Sequence, residues 1–177
     1  QEIQQNFNFK TSATELMFLE HFMKLLKKGG RAGIVIKNTF LSNTDNANIA
    51  LREELLKTSN LHSILVLPSG TFSGAGVKTV VLFFDKGQAT KKVWYYELNL
   101  DRNLGKTNPL NSKDLSEFTE LQKNKKDSDN SWTVSIDDID KETWGLSPTN
   151  PNVEDTSEKR TPSEILSEIE VLDNEAA

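Results

Sequence analysis

The 177 residues include no cysteine and only two histidines, His21 and His62, which stand far apart in the chain. The first absence excludes disulfides, thiolate zinc sites and thiol nucleophiles, and fits a reducing compartment. The second leaves a histidine-based metal site without support. No apolar run approaches the roughly 18 residues of a membrane span, and no basic segment leads into the apolar stretch of a signal peptide. A cytoplasmic chain without metal and without a membrane partner is therefore expected. No internal repeat is visible. Glycine is sparse, yet three of the nine glycines fall between positions 70 and 76.

What is present is ordinary in amount and uneven in placement. Apolar residues make up 36% and charged residues 27%, as in soluble domains generally. Residues 1–110 carry 14 Lys+Arg against 9 Asp+Glu, and residues 111–177 carry 7 against 17. A polyanion would meet the front half, although a solvated surface explains the same excess. The chain opens at Gln1 in a polar stretch and enters a helical pattern almost at once, which reads as a piece of a longer domain.

"SATELMFLEHFMKLLKKGG" has helical spacing. Thr11 or Ser12 can cap it, Ser12 and Glu15 having capping-box spacing. Leu16, Leu19, Met23 and Leu26 form a stripe that Phe18, Phe22 and Leu25 widen, as on a helix packed against a sheet. Lys24, Lys27 and Lys28 suit the negative end of the helix dipole, and Gly29-Gly30 stop the helix. "RAGIVI" (31–36) then reads as a fully buried strand, the last part of a right-handed βαβ unit. In open α/β sheets, ligands bind beyond the carboxyl ends of the strands. Lys37, Asn38, Thr39 and Phe40 occupy that position and are the first site candidates.

A second helix is expected at about 45–58, capped by Asp45, followed by a strand at 62–68. The next strand, at 79–85, follows too soon for a helical crossover, so the two are antiparallel. Residues 91–98 alternate and suit an edge strand, 111–123 a short helix, and "WTVSIDDI" a short strand. A linker from 148 leads to a helix capped by Thr161, with Pro162 and Glu164 in its first turn. Ile165, Ile169 and Leu172 line its apolar stripe, a surface suited to docking a partner or its own domain.

The connection "PSGTFSGAGVKT" is not a phosphate cradle. A Walker loop needs an unbroken Gly-Lys-Ser/Thr and a helix after it, and a dinucleotide fingerprint needs a third glycine and a helix. Here Val77 separates Gly76 from Lys78, and a strand follows. A hairpin whose glycines Gly70, Gly74 and Gly76 supply positive φ accounts for the turn. It does not account for Phe72. A loop with an exposed aromatic at the end of a sheet suits stacking on a base.

The order of these phrases, from "TSATELMFLEHFMKLLKKGGRAGIVIKNTFLSN" through "LHSILVLPSGTFSGAGVKTVVLFFDKG" to "SWTVSIDDI" and "TPSEILSEIE", resembles the modification subunit of type I restriction-modification systems. That family consists of S-adenosylmethionine-dependent DNA adenine-N6 methyltransferases. The resemblance implies an α/β fold: the C-terminal half of a Rossmann-like methyltransferase sheet ending in an antiparallel strand pair, with a small, helix-bearing C-terminal extension. It divides the chain into 1–90 (half of the core), 91–147 (accessory region) and 148–177 (linker and amphipathic helix).

The family's donor-binding loop and its Asn-Pro-Pro-aromatic catalytic motif are not found in this sequence. No catalytic or donor-binding residue is carried over, and the fragment alone is expected to be inactive and to bind no S-adenosylmethionine. On this reading Asn38, Thr39, Phe40, Phe72, Lys78 and Thr79 face the target base or its backbone. Ile165, Ile169 and Leu172 serve docking. The implied partners are double-stranded DNA, a DNA-specificity subunit and a restriction subunit. A half-sheet also has a raw edge, so self-association of the fragment is expected. Two other readings stand beside this one: a non-catalytic Rossmann-like assembly module, and, resting on the glycines alone, a nucleotide-dependent enzyme.

Overall fold

The computed structural model describes residues 13–72 and 76–152. Its elements, in chain order, are α1 (Thr14–Leu25), β1 (Arg31–Lys37), a 3-10 turn (Asn38–Leu41), α2 (Asn46–Thr58), β2 (Ser59–Leu67), β3 (Thr79–Lys86), β4 (Lys92–Glu97), α3 (Ser116–Leu121) and β5 (Ser131–Ser135). A second 3-10 turn, Ile136–Asp138, follows β5. The expected α/β sheet is present, with strand order β1-β3-β2-β4-β5. Strand β3 is antiparallel to both β1 and β2, and so lies between two strands that run the same way. This is the antiparallel closure expected for residues 62–68 and 79–85. β4 then adds parallel to β2, and β5 antiparallel to β4.

Local chemistry sets the helix bounds. The Asp45 carboxylate accepts the Asn48 backbone N–H at 3.1 Å and its side-chain amide at 2.6 Å, so α2 starts where expected. Helix α1 differs from expectation. Its N-cap is Ala13, without a side-chain cap, and it ends at Leu25 before Lys27, Lys28 and the glycine pair. Thr11 and Ser12 lie outside the described residues. Of its apolar residues only the narrow stripe Leu16, Leu19 and Met23 is buried, whereas Phe18, Phe22 and Leu25 are 57%, 43% and 67% exposed. The wide stripe has no described element to cover its outer half.

Two strands also depart from expectation. Strand β1 is not enclosed on both faces: only Ile36 is buried, and no described strand pairs with its outer edge. Residues 92–97, expected at an edge, form an interior strand. Val93 and Tyr95 point into one core, Trp94 and Tyr96 into the other, and all four are buried. Four consecutive large apolar side chains cannot alternate with water. The edge belongs to β5. Strand β2 begins at Ser59, three residues early, because a register shift between Leu61 and Ser63 lets its start pair with the end of β3. The helix expected over 111–123 is confined to Ser116–Leu121.

Two cores flank the sheet. Helices α1 and α2, with Ile139 and Leu146, pack on Ile36, Leu61, Ile64, Val80, Leu82, Phe84 and Tyr95. On the other face Phe118 of α3 packs against Trp94 and Tyr96, with ring centroids 5.9 and 5.4 Å away. Burying a side chain of this size contributes about 1.5–3 kcal/mol. The extension is thus bonded to the sheet and packed on both of its faces.

Candidate nucleic-acid interface

The carboxyl ends of β1 and β2 meet the amino end of β3, and the sequence candidates gather there. Lys37 pairs with Thr79, and Leu67 pairs with the same residue from the other side. The Asn38 backbone N–H donates to the Lys78 carbonyl at 3.0 Å. Two segments forty residues apart in sequence therefore form one rim, with Asn38 on one lip and Lys78 on the other. The Thr79 side chain is buried beneath that rim, and its hydroxyl has no hydrogen-bond partner among the described residues.

Phe72 and Phe40 are placed differently. Phe72 is 43% exposed in the loop after β2, free to offer a ring face. Phe40 is 2% exposed and forms part of the core. Its ring lies under the Arg52 guanidinium, 5.9 Å from the centroid. Thr39 and Phe40 instead line a cavity of about 220 Å³ with Lys37, Glu15, Asp45 and Asn48. Lys37 Nζ donates to the Glu15 carboxylate at 2.8 Å, which holds that carboxyl below its usual range. The start of α1 is tethered in this way to the end of β1.

In the loop that carries Phe72, Gly70 has a conformation that requires glycine. Gly70 has φ +82, and a Cβ there would stand 2.4 Å from the Leu104 carbonyl oxygen. Gly76 does not have positive φ and has open space around it, contrary to the expectation that it would supply the turn. Gly74 lies outside the described residues, as do Ile165, Ile169 and Leu172.

Residues not singled out from the sequence complete the site. A second cavity, about 260 Å³, opens between Asn38, Lys78, Glu97 and the segment 146–150. Tyr95 and Trp132 line it, their rings stacked at 5.4 Å and 9°. Both are buried, and neither the phenol oxygen nor the indole nitrogen has a hydrogen-bond partner among the described residues. Burial pushes the Tyr95 phenol far above its usual range, so it stays a neutral donor.

Arg52 fixes the walls. Fully buried, it donates to the carbonyls of Phe40 (2.6 Å), Asn43 (2.8 Å), Thr143 (2.6 Å) and Trp144 (2.9 Å). It thereby ties the turn after β1 to the segment after β5. In the sequence, Arg52 looks like one more charge on a helix. A signal did exist, since it falls on the same helical face as Leu51 and Leu55.

Among the described residues no cluster of three or more His, Asp or Glu could hold a metal ion. None of the described strands runs through a glycine-rich turn into a helix, the arrangement that cradles a nucleoside cofactor. No transfer step is routed through the described residues. The chemistry available is recognition: amide, ammonium and hydroxyl groups beside one exposed ring.

The model of the N-6 DNA methylase family matches residues 2–160. The chain is 31% identical over 179 residues to the methylase subunit of the type I restriction enzyme EcoEI of Escherichia coli, covering 94% of this chain and 36% of that subunit. It is 35% identical over 126 residues to the methylase subunit of the type I restriction enzyme EcoKI of Escherichia coli strain K12, covering 66% and 24%. A chain from a structure explaining complex assembly and conformational transition of the type I R-M system superposes with a TM-score of 0.80 at 33% identity, covering 99% of this chain and 40% of its own.

The sheet is thus of the kind found in type I methyltransferase subunits. The chain belongs to the N-6 DNA methylase family. It spans 36% and 24% of the two curated relatives, well under half of either.

Proposed function

We propose that this chain supplies the target-base side of a DNA adenine-N6 methyltransferase of the type I restriction-modification kind. The observation that carries the proposal is the single rim formed by Asn38 and Lys78, joined at 3.0 Å, with Phe72 exposed in the adjoining loop. An adenine amino group is buried in the duplex, so the base must leave the stack to react. An exposed ring can then stack on it while an amide and an ammonium hold its edge or its phosphate. S-adenosylmethionine and the catalytic motif belong to parts of the parent enzyme outside this chain, which by itself transfers no methyl group.

The parent acts on double-stranded DNA in the cytoplasm, with a DNA-specificity subunit and a restriction subunit as partners. Residues 1–90 serve as half of the catalytic core, 91–147 as its brace, and 148–177 as a tether whose Ile165, Ile169 and Leu172 dock a partner. Among the described residues no helix is long and apolar enough to cross a membrane.

A second reading, an assembly module without catalysis, draws on the edge of β1, unpaired among the described residues, and on the exposed Phe18, Phe22, Leu25 and Val35. The same surface supports self-association of the isolated chain. Methyl transfer separates the two readings. The parent chain is assembled with its specificity subunit, and tritium from labelled S-adenosylmethionine is counted in plasmid DNA. Asn38→Ala and Phe72→Ala are each expected to lower incorporation about tenfold or more, the value of one lost stacking or hydrogen-bonding contact. Unchanged incorporation by the double variant would remove the base-side role. No incorporation by the unaltered complex would favour the assembly module.

A further inference from the structure

The opposite end of the sheet carries a feature that the base-side reading does not use. Two clefts adjoin there and share Gln88. The larger, about 930 Å³, is lined by Lys91, Lys92 and Lys125, with Asn60, His62 and Thr133 between them. The smaller, about 290 Å³, is lined by Lys28, Arg31 and Lys86. Asp85 is the single carboxylate in the two linings. None of the six cations belongs to an ion pair among the described residues. Elsewhere Lys24, Lys37, Lys57, Arg102 and Lys123 do, while others such as Lys78, Lys106 and Lys113 do not. What sets the six apart is that they line two adjoining clefts.

We propose that this belt binds the phosphate backbone of double-stranded DNA without regard to sequence, at a second site remote from the target base. The proposal rests on the methylase reading only in naming DNA as the polyanion. The belt runs from the start of β1 across β3 and β4 to Thr133 on β5. Four inter-strand spacings make that about 19 Å. Over this length a duplex carries about eleven phosphate charges, both strands counted. An array of that span suits a linear polyanion better than a small phosphate ester.

The donor types point the same way. Flexible ammonium groups with amide and hydroxyl donors between them are the usual contacts to backbone oxygens. Of the larger cleft's two aromatic rings, the Trp94 indole is buried and cannot stack on a base, and His62 is only partly exposed. The belt also lacks the exposed Trp or Tyr anchors on which protein partners concentrate binding energy. Lys125 is held with φ +49, a backbone conformation that few non-glycine residues adopt and that tends to mark functional positions. The length of β1, about 20 Å, separates the belt from the Asn38–Lys78 rim, so the two sites add contacts instead of sharing them.

The test is fluorescence anisotropy with the full-length natural chain and a labelled duplex of arbitrary sequence, between about 50 and 200 mM KCl. The triple variant K91Q/K92Q/K125Q is compared with K57Q/K113Q/K123Q, which removes equal charge elsewhere on the surface. The belt variant is expected to lose about tenfold or more in affinity at the lower salt, and its plot of log K against log salt to flatten by about 2.7, three phosphate contacts' worth. The control triple stays within about twofold, and K91R/K92R/K125R retains binding, which guards against misfolding.

Equal losses in the belt and control triples would reduce the effect to net charge and overturn the proposal. So would polyglutamate binding that depends on the three lysines while duplex binding does not, since the belt would then serve an acidic protein segment. Methyl incorporation is followed in parallel. Absent transfer with intact lysine-dependent duplex binding would break the methylase reading and leave the belt standing.

Discussion

The two ends of the sheet share the same strands and differ in how their polar groups are treated. At the carboxyl end most charges are spent on internal bonds, the exposed Lys78 being the exception. Arg52 spends its donors on four carbonyls, Lys37 is paired with Glu15, and Asp45 caps α2. The buried groups left unpaired there are neutral: the hydroxyls of Thr79 and Tyr95 and the Trp132 indole N–H. At the amino end the cations are unpaired and face open clefts. A recognition site for one base needs fixed walls, because its selectivity lies in geometry. A site for a uniform backbone needs only charge at roughly the right spacing. Rigidity at one end and free charge at the other are what those two tasks require.

The largest effect that would break this comparison lies at Arg52. Arg52→Met keeps the volume of the stem and removes every donor, leaving the carbonyls of Phe40, Asn43, Thr143 and Trp144 without partners. The expected loss is about 3–5 kcal/mol of unfolding free energy, since each orphaned buried acceptor costs about 1–3. Urea unfolding measures it as a lower midpoint at nearly constant slope. A loss below about 1 kcal/mol would mean that Arg52 does not hold the two walls together.

Next in size is the contrast within one loop. Gly70→Ala introduces a Cβ against the Leu104 carbonyl at 2.4 Å and a side chain at φ +82. It should cost about 2–3 kcal/mol. Gly76→Ala meets nothing within 4 Å and should fall within about 0.5 kcal/mol of neutral. Similar costs for both would mean that the turn is shaped along its whole length instead of being pinned at Gly70.

How much of this could be read from the residues follows from what sequence patterns encode. Periodicity and caps are local, so α2 with its Asp45 cap and the antiparallel closure of β3 were legible. The placement of Asn38, Thr39, Lys78 and Thr79 at one end of the sheet followed from topology alone. Two things were not local. Whether an apolar face is covered depends on which other elements are present. The stripe of α1 therefore reads as buried although Phe18, Phe22 and Leu25 are exposed, and β1 reads as enclosed although it lies at an edge. The burial of Arg52 was readable from its helical face, but its bonds to Thr143 and Trp144, 91–92 residues away, were not. Nor was the Tyr95–Trp132 pair, 37 residues apart, because both join segments whose meeting no periodicity predicts. The run Val93-Trp94-Tyr95-Tyr96 did carry a readable signal: without a polar residue between its large side chains, it cannot line an edge.

A smaller effect, of opposite sign, is expected at Tyr95. Removing a buried hydroxyl that has no partner, while keeping the ring, should be neutral or stabilising by about 0.5–1 kcal/mol. Tyr95→Phe therefore raises the urea midpoint slightly or leaves it unchanged, and the stacking on Trp132 is retained. A loss above about 1 kcal/mol would show that the hydroxyl has a partner in solution, and that the cavity beside Asn38 is a hydrated site.

The smallest effect belongs to the amino end and is read in pH. His62 is held below its ordinary value near 6.5, first by burial and then by the Lys125 charge, with Asp85 acting in the opposite direction from 3.9 Å. Between the lowered folded value and the ordinary unfolded one, the unfolded chain binds more protons than the folded chain. Stability therefore rises with pH in that window. It is fully present above about pH 6.5 and falls as the solution is made more acidic. His62→Gln should flatten that part of a stability profile taken from about pH 7.5 to pH 5. Lys125 acts on the ring, Lys91 and Lys92 line the same cleft, and Asp85 faces it from β3. An added phosphate backbone would offset the lysines and raise the His62 value. Saturating duplex should then weaken or reverse the acid-side loss in the unaltered chain and leave the His62→Gln profile unmoved. A profile insensitive to duplex in both proteins would separate His62 from the belt and confine the phosphate contacts to its lysines and Arg31.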